Sequence, residues 1–170
     1  MDIVRLSIPY EFIRGLVRMS WREVRFGLDK ELLDPWAPVE LAIEQAAGLE
    51  QPSAALVDLA SAEKDNPIMG PINKLADGDP PRSENDIRNR WLYLVLAWLY
   101  ENRDAHQDPL QKVEEVYADF DYPEQIVKFV RYMPMDGPDL GSREANVKRL
   151  FERWKWYLDE TARKLVASEK

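Results

Sequence analysis

The chain has 170 residues, and its 31 acidic side chains exceed the 23 basic ones by eight. A net charge of −8 argues against a nucleic-acid-binding protein, which needs a cationic surface to displace counterions. The absence of cysteine excludes disulfides and thiolate metal sites, and it suits a reducing cytoplasm. A chain of this length can bury the core of one domain without such cross-links.

Membrane insertion and secretion are not expected from the sequence. The first ten residues lack the basic start and apolar run of a secretory signal. The longest uninterrupted apolar stretch, Trp91 to Tyr100, is only about half as long as a bilayer-spanning helix. The sequence therefore predicts a cytoplasmic protein.

Helix signals dominate the N-terminal part of the chain. Ser7 is predicted to cap a helix that continues to Leu16. Ser20 and Glu23 have the spacing of a capping box in front of a second helix, in which the serine hydroxyl accepts from the Glu23 amide. Pro38 is a suitable first residue of a third helix, and Ser53 is predicted to cap a fourth. The expected buried positions of the third and fourth helices are Val39, Ile43, Ala46, Ala47, Leu56, Val57, Leu59 and Ala60.

The segment from Asp65 to Arg82 is rich in proline and turn dipeptides, which predicts a loop. One short helical turn is expected within it, around Ile72 to Ala76. Because loops of this length in compact domains are usually functional or mobile, the segment is a candidate binding loop or hinge.

Four further helices are predicted in the second half of the chain. The first should extend from Ser83 to about Arg103 and is apolar on all sides in its middle, which indicates that other elements surround it. Asp108 and Asp121, each followed by a proline at or near the first helical turn, are predicted to cap the next two helices. Ser142 should cap the last and longest helix, which has a clear helical period.

These elements predict an all-α fold of about seven or eight helices, because signals for strands are nearly absent. We expect a single domain over residues 1–170, with sub-lobes 1–64 and 83–170 joined by the loop 65–82. Trp91, Trp98 and Trp154 fall on core periods.

The sequence shows no recognisable catalytic set. His106 is the single histidine, so a zinc site built on imidazoles is excluded. Asp104, His106 and Asp108 have a spacing that would suit a metal, but Asp108 is needed as a helix cap, and we favour a structural role. Glycine loops that bind phosphate or dinucleotides are missing. We therefore predict neither an enzyme nor a cofactor or metal site, and an enzyme using carboxylates and a divalent metal is the least favoured reading.

Binding to another protein is the favoured function, and the segment from Tyr117 to Asp139 is its main candidate because it mixes acidic, aromatic and methionine residues. An alternative reading places Phe120, Tyr122 and Met133 in the core. Trp156 lies off the main apolar stripe of the last helix, either as an exposed anchor or as part of a second packing face. The neighbouring basic residues Lys148, Arg149, Arg153 and Lys155 are expected to form a solvated stripe. The predicted partner-binding residues are Asp119, Asp121, Glu124, Tyr132, Asp136, Asp139 and Trp156.

Two long stretches resemble a bacterial family of uncharacterised domains. The first is IPYEFIRGLVRMSWREVRFGLDKELLDP, and the second comprises WLYLVLAWLYENR and DPLQKVEEVYADFDYPEQIVKFVRYMP. The segment from Asp65 to Arg82 lies outside the resemblance. Members of the family look like immunity proteins encoded beside polymorphic toxins.

The resemblance implies a protein that binds and neutralises a cognate toxin by direct contact. A toxin that acts on nucleic acid needs a basic active-site cleft, and an acidic inhibitor would associate with it rapidly. Neither nucleic acid nor a membrane is an expected partner. The alternative is a helical adaptor or scaffold in a cytoplasmic complex.

Overall fold

The computed structural model describes residues 6–168, which form eight α-helices and two short 3-10 helices. Within this range the β-structure is limited to one isolated bridge between Ile8 and Leu33. The predicted all-α fold is confirmed. The α-helices are α1 (Tyr10–Arg14), α2 (Trp21–Asp29), α3 (Ala37–Ala47), α4 (Ala54–Ala60), α5 (Met69–Gly78), α6 (Glu84–Glu101), α7 (Pro109–Asp119) and α8 (Arg143–Ser168), and the 3-10 helices are Arg103–Ala105 and Glu124–Phe129.

The described residues divide into two compact units, 6–91 and 92–168, which we call the N-terminal unit and the C-terminal unit. The boundary falls within helix α6, whereas the sequence suggested sub-lobes separated by residues 65–82. Residues 91–96 of α6 are all buried, as expected for a stretch that is apolar on all sides.

Trp91 is buried in the core of the N-terminal unit, where it packs against helix α2. Its indole Nε1 donates to the carbonyl of Glu23 at 2.8 Å, and its ring lies against Gly27. A Cβ on Gly27 would lie only 2.1 Å from Cζ2 of Trp91. Glycine at this position therefore lets the indole reach the helix backbone.

Glu23 is a fully buried carboxylate with charged partners. The predicted cap is confirmed, since the Ser20 hydroxyl oxygen accepts from the Glu23 amide at 3.2 Å. The Glu23 carboxylate accepts from Arg82 at 2.6 Å and from Arg90 at 2.9 Å. These charge-assisted bonds satisfy a group that would otherwise be costly to bury.

Several local predictions in the N-terminal unit were wrong. Ser7 does not cap α1; its hydroxyl donates to the carboxylate of Asp34 at 3.4 Å, and α1 begins after Pro9. Ile43 is half exposed, and Ala47 and Val57 are exposed as well, because the buried side of α3 and α4 is narrower than their apolar content suggests.

The segment from 65 to 82 contains the ten-residue helix α5, which is longer than the predicted helical turn. The end of this segment is tied to helix α2. Asp79 accepts from the amides of Trp21 at 2.6 Å and Arg22 at 3.1 Å, and Asp77 pairs with Arg25 at 3.2 Å. Asp79 therefore caps helix α2, and Asp77 forms an ion pair with a residue of the same helix.

Trp154 lies at the centre of the C-terminal unit. It is fully buried, its indole Nε1 donates to the carbonyl of Leu96 at 3.2 Å, and its ring stacks on Phe129 with centroids 6.2 Å apart. Tyr100 meets it edge-on at 5.2 Å. Trp98, predicted as a core residue, is only half-buried.

Capping predictions in the C-terminal unit had mixed outcomes. Asp108 caps α7 by accepting from the Gln111 amide at 3.2 Å, and Ser142 caps α8. The prediction that Asp121 caps the next helix was wrong. That element is the 3-10 helix Glu124–Phe129, which begins after Pro123 without a side-chain cap.

Candidate protein-binding surface

Two consecutive residues in the left-handed region follow helix α7. Asp121 has a φ of 62° and Tyr122 a φ of 56°, and this conformation costs L residues roughly 1–2 kcal/mol each. The Tyr122 amide donates to the Tyr117 carbonyl at 2.8 Å, and the Asp121 amide donates to the Ala118 carbonyl at 3.2 Å. These bonds close the helix end in the Schellman pattern. The turn leaves the Tyr122 side chain 58% exposed.

Three tyrosine rings meet at this turn, and we call Tyr117, Tyr122 and Tyr132 the tyrosine cluster. The buried Tyr117 ring meets Tyr122 edge-on with centroids 5.2 Å apart, and its centroid lies 6.0 Å from that of Tyr132. Tyr132 is 56% exposed. Partial desolvation, with a smaller effect of Tyr117, raises the pKa of Tyr132. The cluster thus exposes two rings that are supported by a third.

The sequence identified Tyr132 as a candidate but left Tyr122 undecided between the core and the surface. Phe120 is a core residue, as the alternative reading proposed, whereas Tyr122 is exposed. Helix α7 ends at Asp119 with Phe120 as its C-cap residue, Tyr122 lies two residues beyond that cap, and the Asp-Tyr-Pro sequence is the local signal for this end. Periodicity alone does not reveal which side chain the turn directs outward.

The acidic candidates Asp119, Asp121 and Glu124 lie next to Tyr122 along the chain. Asp119 is half-buried and takes part in an interaction. Asp121 and Glu124 are exposed, and the carboxylates of these two residues have no partner within residues 6–168. These two exposed carboxylates are within two residues of Tyr122 along the chain.

Asp136 and Asp139 lie in the loop of residues 133–142, which we call the 133–142 loop. Asp139 accepts from the side-chain amide of Asn146 at 3.0 Å and from the backbone amide of Gly141 at 2.9 Å. These two bonds, the first most strongly, hold the pKa of Asp139 below its usual range. Asp139 therefore organises its own loop, while the Asp136 side chain is exposed.

Two arginines of α8 hold this loop. Arg149 Nη1 donates to the Pro138 carbonyl at 2.7 Å, and Arg153 Nη2 donates to the Asp136 carbonyl at 2.6 Å. Gly137, at a φ of 105°, passes so close that a Cβ would lie 3.3 Å from Arg149 Nη1. The prediction that these basic residues form a solvated stripe was wrong for Arg149 and Arg153, which are half-buried. It holds for Lys148 and Lys155, which are exposed.

Trp156 is exposed, at 65% of its surface, on helix α8. Its neighbours Trp154 and Tyr157 are buried on the other side of the helix. No ring contact joins Trp156 to the tyrosine cluster in the part of the chain that the structure describes. The second packing face was therefore the wrong alternative, and Trp156 is an exposed residue separate from the cluster.

The structural role favoured for Asp108 is confirmed. Besides capping α7, it pairs with Arg131 at 3.0 Å, and the same guanidinium donates to Glu114 at 3.1 Å. The hydrogen bond from Arg131, more than any other influence, lowers the pKa of Asp108. Between residues 6 and 168 there is no cluster of histidine and carboxylate residues that could hold a metal ion.

Comparisons with known proteins place the chain in a family. Within the described range, the helices are all too short or too polar to span a bilayer. No curated protein and no solved structure shows significant similarity to the chain. The model of a family described as an uncharacterised protein conserved in bacteria, DUF2247, matches residues 10–162. This match confirms the bacterial family of uncharacterised domains and includes the segment 65–82, which the resemblance had left out, while its description does not mention immunity. Because the match covers most of the sequence, the chain belongs to the DUF2247 family of bacterial proteins.

Proposed function

We propose that this chain is a cytoplasmic binding protein that neutralises a bacterial toxin by direct contact, and that the tyrosine cluster is the centre of the contact surface. The observation that carries the proposal is the exposure of Tyr122 and Tyr132 on the buried ring of Tyr117. Tyrosine is enriched among residues that dominate binding energy at protein interfaces.

The geometry of the cluster favours binding because the rings are already ordered. Contact with Tyr117 restricts both exposed rings, and the Schellman turn holds the backbone of Tyr122. A partner would therefore immobilise few additional rotamers on binding, which reduces the entropic cost of association.

Charge supports a basic partner. The chain has a net charge of −8, and Asp121 and Glu124, which are close to Tyr122 along the chain, carry exposed carboxylates that have no partner among residues 6–168. A toxin that acts on nucleic acid requires a cationic cleft, and an anionic surface would be attracted to it over long distances. The resemblance of the sequence to immunity proteins points to the same class of partner.

The test is co-expression with the product of any toxin-like gene that lies beside the gene of this chain. We expect the chain to restore growth of cells that express the toxin, and the two proteins to co-purify as a stable complex. The variant Tyr122→Ala/Tyr132→Ala should lose both effects. Its control is Val166→Ala, because Val166 is an exposed apolar residue of the same unit outside the cluster.

Three outcomes would contradict the proposal or part of it. Growth that is not restored, together with the absence of a complex, would exclude toxin neutralisation. A stable complex with a non-toxic cytoplasmic protein would instead support the adaptor alternative. Rescue that persists in the double tyrosine variant would move the contact surface away from the cluster.

A further inference from the structure

A groove in the C-terminal unit lies between the 133–142 loop, the 3-10 helix Glu124–Phe129 with the residues that follow it, and the N-terminal half of α8. It has a volume of about 570 Å³, which lies within the range of about 300–1,000 Å³ typical of small-molecule sites. Its apolar lining includes Val127, Val130, Val147 and Leu150. The groove can therefore bury an apolar body of moderate size.

Cationic side chains outnumber acidic ones around this groove. Five cationic residues line it against two carboxylates, although the chain as a whole is acidic. The cationic residues are Lys128, Arg131, Arg143, Arg149 and Arg153, and the carboxylates are Asp136 and Asp139.

Only part of this positive charge is neutralised. Arg131 is paired with two carboxylates, and Arg149 and Arg153 donate to uncharged carbonyls. Lys128 and Arg143 are exposed and have no side-chain partner among residues 6–168. The groove therefore retains net positive charge beside an apolar lining.

Arg149 also has an unused donor. Its Nε is shielded from solvent and has no hydrogen-bond acceptor among residues 6–168. A buried donor without a partner costs roughly 1–3 kcal/mol. An anionic group bound in the groove would interact favourably with the positive charge of this guanidinium.

We propose that the groove binds a small amphiphilic anion, with its acidic group near Lys128, Arg143 and Arg149 and its apolar body against Val130, Val147 and Leu150. The acidic group is a carboxylate, sulfonate or phosphate, all of which guanidinium groups bind. This site is distinct from the tyrosine cluster, and the inference does not depend on the proposed function.

The probe is the fluorescent dye anilinonaphthalene sulfonate, and its uncharged parent N-phenylnaphthylamine is the matched ligand. We expect the purified folded protein to bind the sulfonate at one saturable site and the uncharged dye at least about tenfold more weakly, because the cations recognise the anionic group. Equal affinities for the two dyes, or no saturable binding of the sulfonate, would overturn the proposal.

Charge reversal locates the site. Lys128→Glu/Arg143→Glu should weaken sulfonate binding by at least about tenfold, since it replaces two positive charges of the lining with two negative ones. Glutamate at position 143, the first residue of α8, also suits the positive end of the helix dipole, so folding should be retained. The control Lys148→Glu/Lys164→Glu makes the same charge change at exposed positions of α8 outside the groove, and it should alter affinity less than about twofold.

Methionine methyl spectra provide a readout that does not depend on affinity. The chain has five methionines, of which Met133 and Met135 line the groove while Met19 and Met69 belong to the N-terminal unit. The sulfonate should shift the methyl signals of Met133 and Met135 alone. Shifts at Met19 or Met69 with no change at Met133 and Met135 would contradict the proposal.

Discussion

Gly27 and Gly70 both lie in helices, but their surroundings differ. A Cβ on Gly27 would overlap the buried indole of Trp91, whereas a Cβ on Gly70 would meet nothing within 4 Å. Helix propensity favours alanine over glycine by about 1 kcal/mol at an ordinary helical position. The contact with Trp91 therefore decides whether alanine at position 27 raises or lowers the stability.

Gly27→Ala should lower the free energy of unfolding by about 1–3 kcal/mol, because the overlap with a fully buried ring forces a shift in a packed core. Denaturant titration followed by tryptophan fluorescence measures the change. Gly70→Ala is the matched control and should leave the stability unchanged or raise it by up to about 1 kcal/mol. Equal effects of the two substitutions would show that Trp91 does not lie on Gly27.

The tryptophans differ in burial although their sequence periods look alike. Trp154 is fully buried against Phe129 and Tyr100, whereas Trp98 is half-buried. Trp154→Ala should cost about 3–5 kcal/mol of unfolding free energy, as truncation of a buried aromatic side chain does. Trp98→Ala should cost clearly less, and thermal or denaturant unfolding of both variants tests the order. A larger loss of unfolding free energy for Trp98→Ala than for Trp154→Ala would support the sequence-based prediction that Trp98 is a core residue.

At the scale of elements, helix α2 depends on groups that are distant in sequence. Ser20 caps it locally, but Asp79 accepts from its first two amides, and Arg82 and Arg90 bind the buried Glu23 carboxylate. The segment that follows α5 is thereby joined to α2 within the N-terminal unit. This arrangement gives the end of the Pro-rich segment a structural role.

Asp79 and Asp77 provide a matched pair in that segment. Asp79→Ala removes the acceptor of two helix N-terminal amides, so it should lower the unfolding free energy by about 1–2 kcal/mol. Asp77→Ala removes an exposed ion pair with Arg25 and should cost less than about 1 kcal/mol. Denaturant unfolding in parallel tests both, and a larger loss for Asp77→Ala would contradict the capping role of Asp79.

At the scale of the whole molecule, the acidic charge is not evenly distributed. The net charge is −8, yet the groove beside the 133–142 loop is lined mainly by cations. Asp136 and Asp139 line that groove, whereas Asp121 and Glu124 lie beside the tyrosine cluster along the chain. We therefore expect Glu124, rather than Asp139, to influence association with a basic partner.

Binding kinetics with the proposed toxin should separate charge from contact. Glu124→Lys should slow association several-fold at low salt and leave dissociation nearly unchanged, because exposed charges mainly steer encounter. Tyr132→Ala should accelerate dissociation on the order of tenfold or more, as loss of an interface anchor does.

Glu152→Lys is the charge control. Glu152 is exposed on helix α8 and is distant along the chain from the residues of the tyrosine cluster. It should have a smaller effect on association than Glu124→Lys. If Tyr132→Ala leaves dissociation unchanged, the tyrosine cluster is not the contact surface.

The sequence by itself determined the helical class and most helix positions, because caps and apolar periods act within one or two turns. Ser20, Ser53, Asp108 and Ser142 all bind the amides that their spacing predicted. The candidate Tyr132 and the exposed alternative for Trp156 also followed from local pattern, and both side chains are exposed.

Only the tertiary structure decided which apolar and charged residues are used in packing. Ile43 and Trp98 have the pattern of core residues but lie partly or largely outside it, since burial depends on neighbours that the pattern does not specify. Asp79 caps a helix whose first residue lies 58 positions earlier, and Arg149 binds a carbonyl of a separate loop. Such contacts depend on how distant segments meet in space, and local periodicity carries no information about that meeting.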